Sequence, residues 1–394
     1  MKNKRVAVLD IRSFEVTFLI GSRGVNNTFI VCGSESKKYE GFSASGFIDK
    51  QSFRDAVCSV VESVRKNYDG AVEEIYISAP SAFLSLVAKG HTISFPSKRK
   101  ISSQDVEVLF DGAQNDLFAS GVCVRRSAMY FAVGDHRKYF KESDLFGVPT
   151  SLLKGALSYY FLDAEFYDFL NEILNGLGIQ KLNFIPASLS QATYLLPQTT
   201  REGYALFLDV GFLSTTFSVV YGNGIVREES FDYGTGLLIA NLMNAFNVEY
   251  SVAEEMLCTA NVSERGVPRD LKWTDGDGKG YPVWKINDVI KLGFDELSEK
   301  VGAFLQTHYG DKKSIMVMNA PLFVTGEGVT GHSGLVEHLT GRINHTAQIV
   351  APELPYYDKP VYSSRMALLN MALGDEQERG FFKKFFNLLG GRKK

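Results

Sequence analysis

Residues 206–221, LFLDVGFLSTTFSVVY, decide how this chain folds. The run is apolar and rich in β-branched and aromatic residues, and one short Gly/Ser/Thr segment interrupts it, which is the pattern of two buried strands joined by a turn. The first strand stops at Asp209, the chain turns through Gly211 to Thr215, and a second strand follows. Working outward, the start of the chain repeats the design: VAVLDIRSFEVTFLIG, residues 6–21, runs strand, Asp10, turn, strand. Two such hairpins, one opening each half, predict a duplicated fold whose halves face each other across a cleft, with a ligand position between the two turns.

The 394 residues, 45% hydrophobic and 12% aromatic, are enough to bury a large core in two or more domains. A net charge of −3 offers no general attraction to nucleic acid, so no nucleic-acid partner is expected. Cys32, Cys58, Cys123 and Cys258 are far apart and form no CxxC, which argues against a zinc site and a disulfide framework and fits a reducing cytoplasm. The histidines contain no HExxH, and no metal site is expected. No signal peptide is visible, and no apolar run approaches bilayer length.

After the first hairpin and Gly46-Phe47-Ile48-Asp49, the apolar residues Phe53, Val57, Val60, Val61 and Val64 recur at helical spacing within 50–68. A short strand, 74–79, ends at Pro80. From Ser81 to about Lys154 the texture changes to shorter strands and more charge, with a helix over 104–115 opened by Ser102 and Ser103, and this part reads as an inserted α+β subdomain. The alternation resumes with a strand at 156–162, a helix at 165–177, a strand at 182–185 and a helix at 187–195. Beyond the second hairpin lie a helix over 237–246, a polar Gly/Asp-rich loop over 262–282, a long helix over 286–305, the turn Thr325-Gly326-Glu327-Gly328, and a small closing helix around 365–373.

In order along the chain, the Asp10 hairpin, Gly46-Phe47-Ile48-Asp49, the insert after the Pro80 strand, Pro186-Ala187-Ser188, the Asp209 hairpin, Tyr233-Gly234, Ala253-Glu254 and Thr325-Gly326-Glu327-Gly328 form a set. Each motif is weak alone, and the ordered set resembles the FtsA family of actin-like bacterial cell-division proteins over essentially the whole length. The resemblance implies an α/β fold of the actin/ribonuclease-H-like duplicated type, with an inserted small α+β subdomain and a C-terminal amphipathic helix. The expected divisions are 1–80 with 155–203 for the first half, 81–154 for the insert, and 204–375 for the second half, whose outer subdomain is about 241–309. Residues 376–394 follow as a short linker and membrane-targeting helix. The pilus-assembly protein PilM is similar in fold and supplies the competing expectation, a scaffold that binds a peptide of an inner-membrane partner.

Members of this superfamily hold ATP because two turns present backbone N–H groups to the phosphates while an Asp at each strand end helps to order Mg²⁺ and water. The resemblance therefore implies ATP with Mg²⁺ as ligand, at Asp10, Arg12, Ser13, Asp209, Gly211, Ser214, Thr215, Gly234, Glu254, Gly326, Glu327 and Gly328. The turns depart from the family pattern. Arg12-Ser13-Phe14 stands where the first turn begins with Gly, and Phe212-Leu213 where the second has glycines. Thr216, Leu238, Ala240 and Leu257 replace polar or charged family residues, and Glu327 replaces Gly. Two readings follow. Either the cleft is repacked, with Phe212 and Leu213 in the phosphate space, or Arg12 serves as a cationic phosphate partner with Ser13, Ser214 and Thr215 as hydroxyl donors. Exchanging glycines for Phe and Leu costs several kcal/mol of anion binding, so the expectation is weakened nucleotide binding, no turnover and no catalytic residue.

The chain ends in Phe381-Phe382-Lys383-Lys384-Phe385-Phe386-Asn387-Leu388-Leu389, then Gly390-Gly391-Arg392-Lys393-Lys394. On a helical wheel the six apolar residues fall within roughly 160°, with Lys383, Lys384 and Asn387 opposite. A phenylalanine-rich face flanked by basic residues suits an interfacial helix at an anionic bilayer, and the resemblance implies a membrane-targeting helix here. The expected membrane-binding residues are Phe381, Phe382, Lys383, Lys384, Phe385, Phe386, Leu388, Leu389, Arg392, Lys393 and Lys394. The expected role is a peripheral adaptor at the cytoplasmic face of the membrane, at the division site. It would tie the tubulin-like division protein FtsZ to anionic lipids, and by resemblance it would self-associate into actin-like filaments.

Overall fold

The computed structural model describes residues 4–68, 70–117, 119–134, 137–263, 266–310, 314–329 and 333–390, without the side chains of 27 and 380–390. The first half opens with β1 (Arg5–Ile11), β2 (Glu15–Arg23) and β3 (Phe29–Lys38), followed by the small strands β4 (Phe42–Ser43) and β5 (Gly46–Phe47). Helix α1 (Lys50–Lys66) begins where the Asp49 carboxylate accepts the Gln51 N–H at 2.8 Å. It buries Phe53, Val57, Val60, Val61 and Val64, the residues that its periodicity singled out. Strand β6 (Glu74–Ala79) then lies parallel to β1.

The insert is β7 (Leu84–Lys100), α2 (Ser103–Gln114), β8 (Val122–Val133), β9 (Lys138–Tyr139) and β10 (Pro149–Leu162), in the sheet order β7-β10-β8-β9. This extends the insert beyond its expected end at 154. Strand β10 pairs with β7 as far as Leu162↔Leu84, so residues 156–162, expected in the first half, belong to the insert's sheet. Both strands are longer than their apolar stretches because the ladder resumes past an irregularity, with Arg99 opposite Thr150 and Lys100 opposite Pro149.

The first half resumes with α3 (Ala164–Gly176), β11 (Lys181–Pro186), α4 (Ala187–Leu195) and α5 (Gln198–Arg201). The second half contains β12 (Tyr204–Val210), β13 (Thr215–Tyr221), β14 (Gly224–Phe231), α6 (Thr235–Phe246) and α7 (Tyr250–Thr259). It continues with β15 (Lys272–Thr274), β16 (Gly280–Pro282), α8 (Val283–Tyr309), α9 (Ile315–Met318), β17 (Leu322–Thr325), α10 (Leu335–Ile343) and β18 (Ala347–Ile349). The region 262–282, expected as a loop, carries the β15–β16 hairpin. Helix α11 (Ser363–Gly390) closes the chain.

The two main sheets have the same plan. The orders β11-β6-β1-β2-β3 and β18-β17-β12-β13-β14 correspond strand for strand, with the two hairpins in the same register: Asp10 lies opposite Thr17 and Asp209 opposite Thr216. This is the actin-like duplicated α/β fold. In each half the strand carrying the aspartate is central and its inner positions are solvent-free, Val8 and Leu9 in one and Leu206 and Leu208 in the other.

One difference from expectation concerns the C-terminus. The segment from 376, expected to begin as a short linker, is helical, and α11 runs unbroken from Ser363 to Gly390. Met366, Leu368, Leu369, Ala372 and Leu373 of α11 pack on Val6, Val8 and Leu19 of the first sheet. Polar contacts extend that docking: Asp375 takes a bidentate ion pair from Arg125 of β8 at 2.6 and 3.0 Å, and Tyr76 donates to Glu376 at 2.7 Å. Gly374 does not stop the helix because its neighbours are held on both sides, which outweighs the roughly 1 kcal/mol propensity cost of one glycine.

Candidate functional site

The cleft lies where the two Asp hairpins meet, and the three residues of the first turn each reach across it. The Arg12 guanidinium forms a two-pronged ion pair with Asp209, Nη2 to Oδ1 at 2.8 Å and Nη1 to Oδ2, and Gln191 of α4 donates to the same carboxylate at 2.8 Å. The Ser13 hydroxyl oxygen accepts the backbone N–H of Leu213 at 3.0 Å and of Ser214 at 3.3 Å. The Phe14 ring stacks on Phe212, centroids 4.2 Å apart and planes 19° apart. A cation, an acceptor and an aromatic plate thus pass from one half to the other within a tripeptide.

Arg12 and Asp209 are both charged. Burial, the largest single influence, would lower the Arg12 pKa, but the charge and hydrogen bonds of Asp209 together with the Glu327 and Asp10 charges outweigh it and the net shift is upward. For Asp209 burial pushes up, yet the Arg12 charge and the hydrogen bonds from Arg12 and Gln191 hold it below the usual carboxylate range. Glu327 behaves in the opposite way. Burial raises its pKa despite the nearby Arg12 charge, and Asp209 and Glu15 raise it further. The Phe212 N–H favours its ionised form, although its buried Oε1 has no partner at full hydrogen-bonding geometry.

The remaining polar groups of the turns are engaged locally. Gly211 N–H donates to Ser214 O at 3.1 Å, and the N–H groups of Thr235 and Gly236, at the start of α6, donate to Gly211 O and Phe212 O at 3.1 and 2.8 Å. Thr215 donates its hydroxyl to Tyr233 O at 2.8 Å. Asp10 accepts from Ser364, in the first turn of α11, at 2.6 Å. Gly326 adopts φ +102°, and a Cβ there would collide with Val210 O and the Asp209 carboxylate, so glycine is required.

The structure therefore gathers Asp10, Arg12, Ser13, Asp209, Gly211, Ser214, Thr215, Gly234, Gly326, Glu327 and Gly328 at the cleft, but in changed roles. Arg12 is committed to Asp209 and is no free phosphate partner. Ser13 is an acceptor and not a donor. Glu254 is placed elsewhere, on the exposed face of α7, where Tyr250 donates to it at 3.2 Å. Gln191 and Ser364 escaped the sequence reading. Gln191 lies one helical turn past the Pro186-Ala187-Ser188 motif, a signal that could have found it, whereas nothing local marks Ser364.

What remains open between the turns is a cavity of about 30 Å³, lined among others by Arg12, Ser13, Ser81, Ser188, Asp209 and Thr216. A pocket for a drug-sized ligand needs roughly 300 Å³ or more. With the amides of Gly211, Leu213 and Ser214 already bonded and Arg12 paired, this cleft does not fit a nucleotide. Among the described residues no cluster of His, Cys, Asp or Glu could hold a metal ion.

Larger cavities lie elsewhere. A groove of about 550 Å³ separates the first half from the insert, floored by Phe47, Phe83, Phe166 and Phe169 and flanked by Lys50 and Glu165. A second cavity, about 720 Å³, opens between α8, α10 and the loop after α7, with Arg269 stacked over Trp284 at 4.1 Å and Lys291 and Arg342 on its wall. Among the described residues no helix is long and apolar enough to cross a membrane.

The expected lipid contacts Phe381, Phe382, Lys383, Lys384, Phe385, Phe386, Leu388 and Leu389 fall on the α11 backbone with side chains outside the described residues, as do Arg392, Lys393 and Lys394 entirely. No protein-family model and no curated protein matches the chain. Solved structures do. A PilM-PilN type IV pilus biogenesis complex superposes with a TM-score of 0.59 at 13% identity, covering 93% of this chain and 98% of that one. MreB5 of Spiroplasma citri bound to AMPPNP gives 0.55 at 9% identity, with 96% and 100% covered. The ethanolamine utilization protein EutJ of Carboxydothermus hydrogenoformans gives 0.50 at 9%, with 94% and 90% covered. At these identities the likeness establishes the actin-like fold and nothing narrower.

Proposed function

We propose that this protein is an FtsA-like peripheral membrane adaptor, in which an actin-like body holds a tubulin-like division polymer and a C-terminal amphipathic helix attaches it to the cytoplasmic face of the membrane at the division site. One observation carries the reading: α11 starts in the core, beside Asp10, and runs as a single helix into the phenylalanine-rich segment 381–389. Attachment and body are then one mechanical piece. Six apolar side chains worth ~1.5–3 kcal/mol each when fully buried, only partly inserted and offset by ordering, give a weak single anchor. Many copies along one polymer add up by avidity. The polymer's tail would meet the outer subdomain, about 241–309, where a cavity lies beside Trp284 and Lys291. Self-association into filaments belongs to the same proposal.

A second reading, a PilM-like scaffold that binds a peptide of an inner-membrane partner, is favoured by the phenylalanine-floored groove between the first half and the insert. Co-sedimentation with anionic liposomes separates the two. The adaptor reading expects recruitment of the division polymer by the full chain and its loss with F382D/F386D. Unchanged sedimentation of that variant overturns it. Capture of a membrane-partner peptide that F169A abolishes, without polymer recruitment, establishes the second reading.

A further inference from the structure

The misfit between the cleft and a nucleotide has a positive side: the places where a bound phosphate would supply contacts are filled from within the chain. In a nucleotide-binding turn, consecutive amides converge on phosphate oxygens. Here the amides of Leu213 and Ser214 converge on the Ser13 hydroxyl oxygen of the opposite half. In such sites a cation offsets phosphate charge, and here Arg12 offsets Asp209. Phe14 stacks on Phe212 from the opposite half. Helix α11 adds a pin that touches both halves, Ser363 with Thr325 of β17 at 2.7 Å and Ser364 with Asp10 of β1 at 2.6 Å.

We propose that Arg12-Ser13-Phe14 is a built-in ligand of the second turn, which holds the two halves closed without nucleotide. Each of the three contacts crosses the cleft, and each uses a residue that glycine could not replace. The shape in which the protein meets its partners is consequently set by the sequence and not by an ATP cycle. This inference is independent of which partner the body holds.

Amide hydrogen exchange on the full-length chain tests it. In the wild type without nucleotide, the Leu213 and Ser214 amides are expected to exchange as slowly as neighbouring core strands, and millimolar Mg-ATP is expected to change nothing. Removing the acceptor in S13A should speed those two amides at least tenfold while β12 and β17 stay protected. S13T, which keeps the hydroxyl, should restore most of the protection. Fast exchange in the wild type that slows on adding Mg-ATP overturns the proposal, whether or not the variants fold. Equal exchange in S13A and wild type also overturns it.

Discussion

Arg12 and Asp209 form a nearly buried ion pair, with side-chain exposures of 15% and 9%, so the cost of breaking it differs from the cost of replacing it. R12A strands the Asp209 carboxylate beside Glu327 and should lower stability by about 3–5 kcal/mol in urea unfolding, whereas the double variant R12M/D209L should lose far less. Because the folded Asp209 pKa is depressed, its contribution is present above the unfolded carboxylate value and is lost as pH falls. Glu228 has the opposite sign. It accepts from Ser81 at 3.2 Å and Ser188 at 2.5 Å with no cation beside it among the described residues, and burial raises its pKa above the ordinary 4.5. Its favourable contribution is full below 4.5 and falls as pH rises through the folded pKa. E228Q imitates the protonated acid, so at neutral pH it should gain up to about 1 kcal/mol over the wild type, a gain that disappears in acid. A pH series of unfolding midpoints that leaves the two proteins parallel would refute this assignment.

At the scale of elements, α11 is where sequence and structure diverge most. Its middle, residues 375–379, is held through side chains distant in sequence: Arg125 on Asp375, Tyr76 and Lys4 on Glu376, and Arg379 on Glu74 at 2.6 Å and Asn183 at 2.8 Å. R125A should cost about 2 kcal/mol, since charge-assisted hydrogen bonds are lost. It should also raise amide exchange in α11 from Asp375 onward while Met366–Leu373 stay protected. Uniform exchange along the helix would show that the ion pair does not hold it. The same helix shows why part of the fold was hidden in the sequence. Both hairpins were legible because the apolar residues of their strands, from Val6 to Ile20 and from Ala205 to Tyr221, are buried and the turn residues mark their ends. The helical state of 374–380 was not, because it depends on partners up to about 300 residues away and Gly374 and Gly380 locally argue against it. The upper boundary of the insert was obscured for the same kind of reason. Strand β10 reads like a core strand of either sheet, and only its pairing with β7 decides. At the cleft, the sequence exposed the departures Arg12, Phe212 and Glu327 but not that Arg12 pairs with Asp209 and Phe212 stacks on Phe14 across it.

For the whole molecule, the insert matters as much as the cleft, since it ties the two halves together on a second side. Ser158 and Tyr160 of β10 clasp the Ile225 backbone, Ser158 donating to its carbonyl at 2.7 Å and the Tyr160 oxygen meeting its N–H at 3.1 Å. Lys138 of β9 donates to Tyr221 at 2.5 Å and lies 4.6 Å above the Tyr130 ring, and Asn223 donates to Phe140 O. The β13–β14 turn is pressed so closely onto β8 that a Cβ at Gly222, φ +58°, would overlap Met129 O. With Arg12–Asp209 at the cleft and these contacts at the insert, rotation of the halves requires two separate surfaces to break together, which ordinary ligand binding at one of them does not supply. The insert surface can be loosened by itself. K138A/N223A removes the cation between two tyrosines with its hydrogen bond to Tyr221, and the bonds that Asn223 donates to Phe140 O and accepts from Arg201, and is expected to speed exchange at the Tyr221–Gly224 turn several-fold while the Leu213 and Ser214 amides remain slow. Small-angle scattering of that variant should match the wild type, because the cleft contacts still hold. Expansion of K138A/N223A in solution, or fast exchange at Leu213 and Ser214, would mean that the insert alone keeps the halves closed and that the tripeptide across the cleft is secondary.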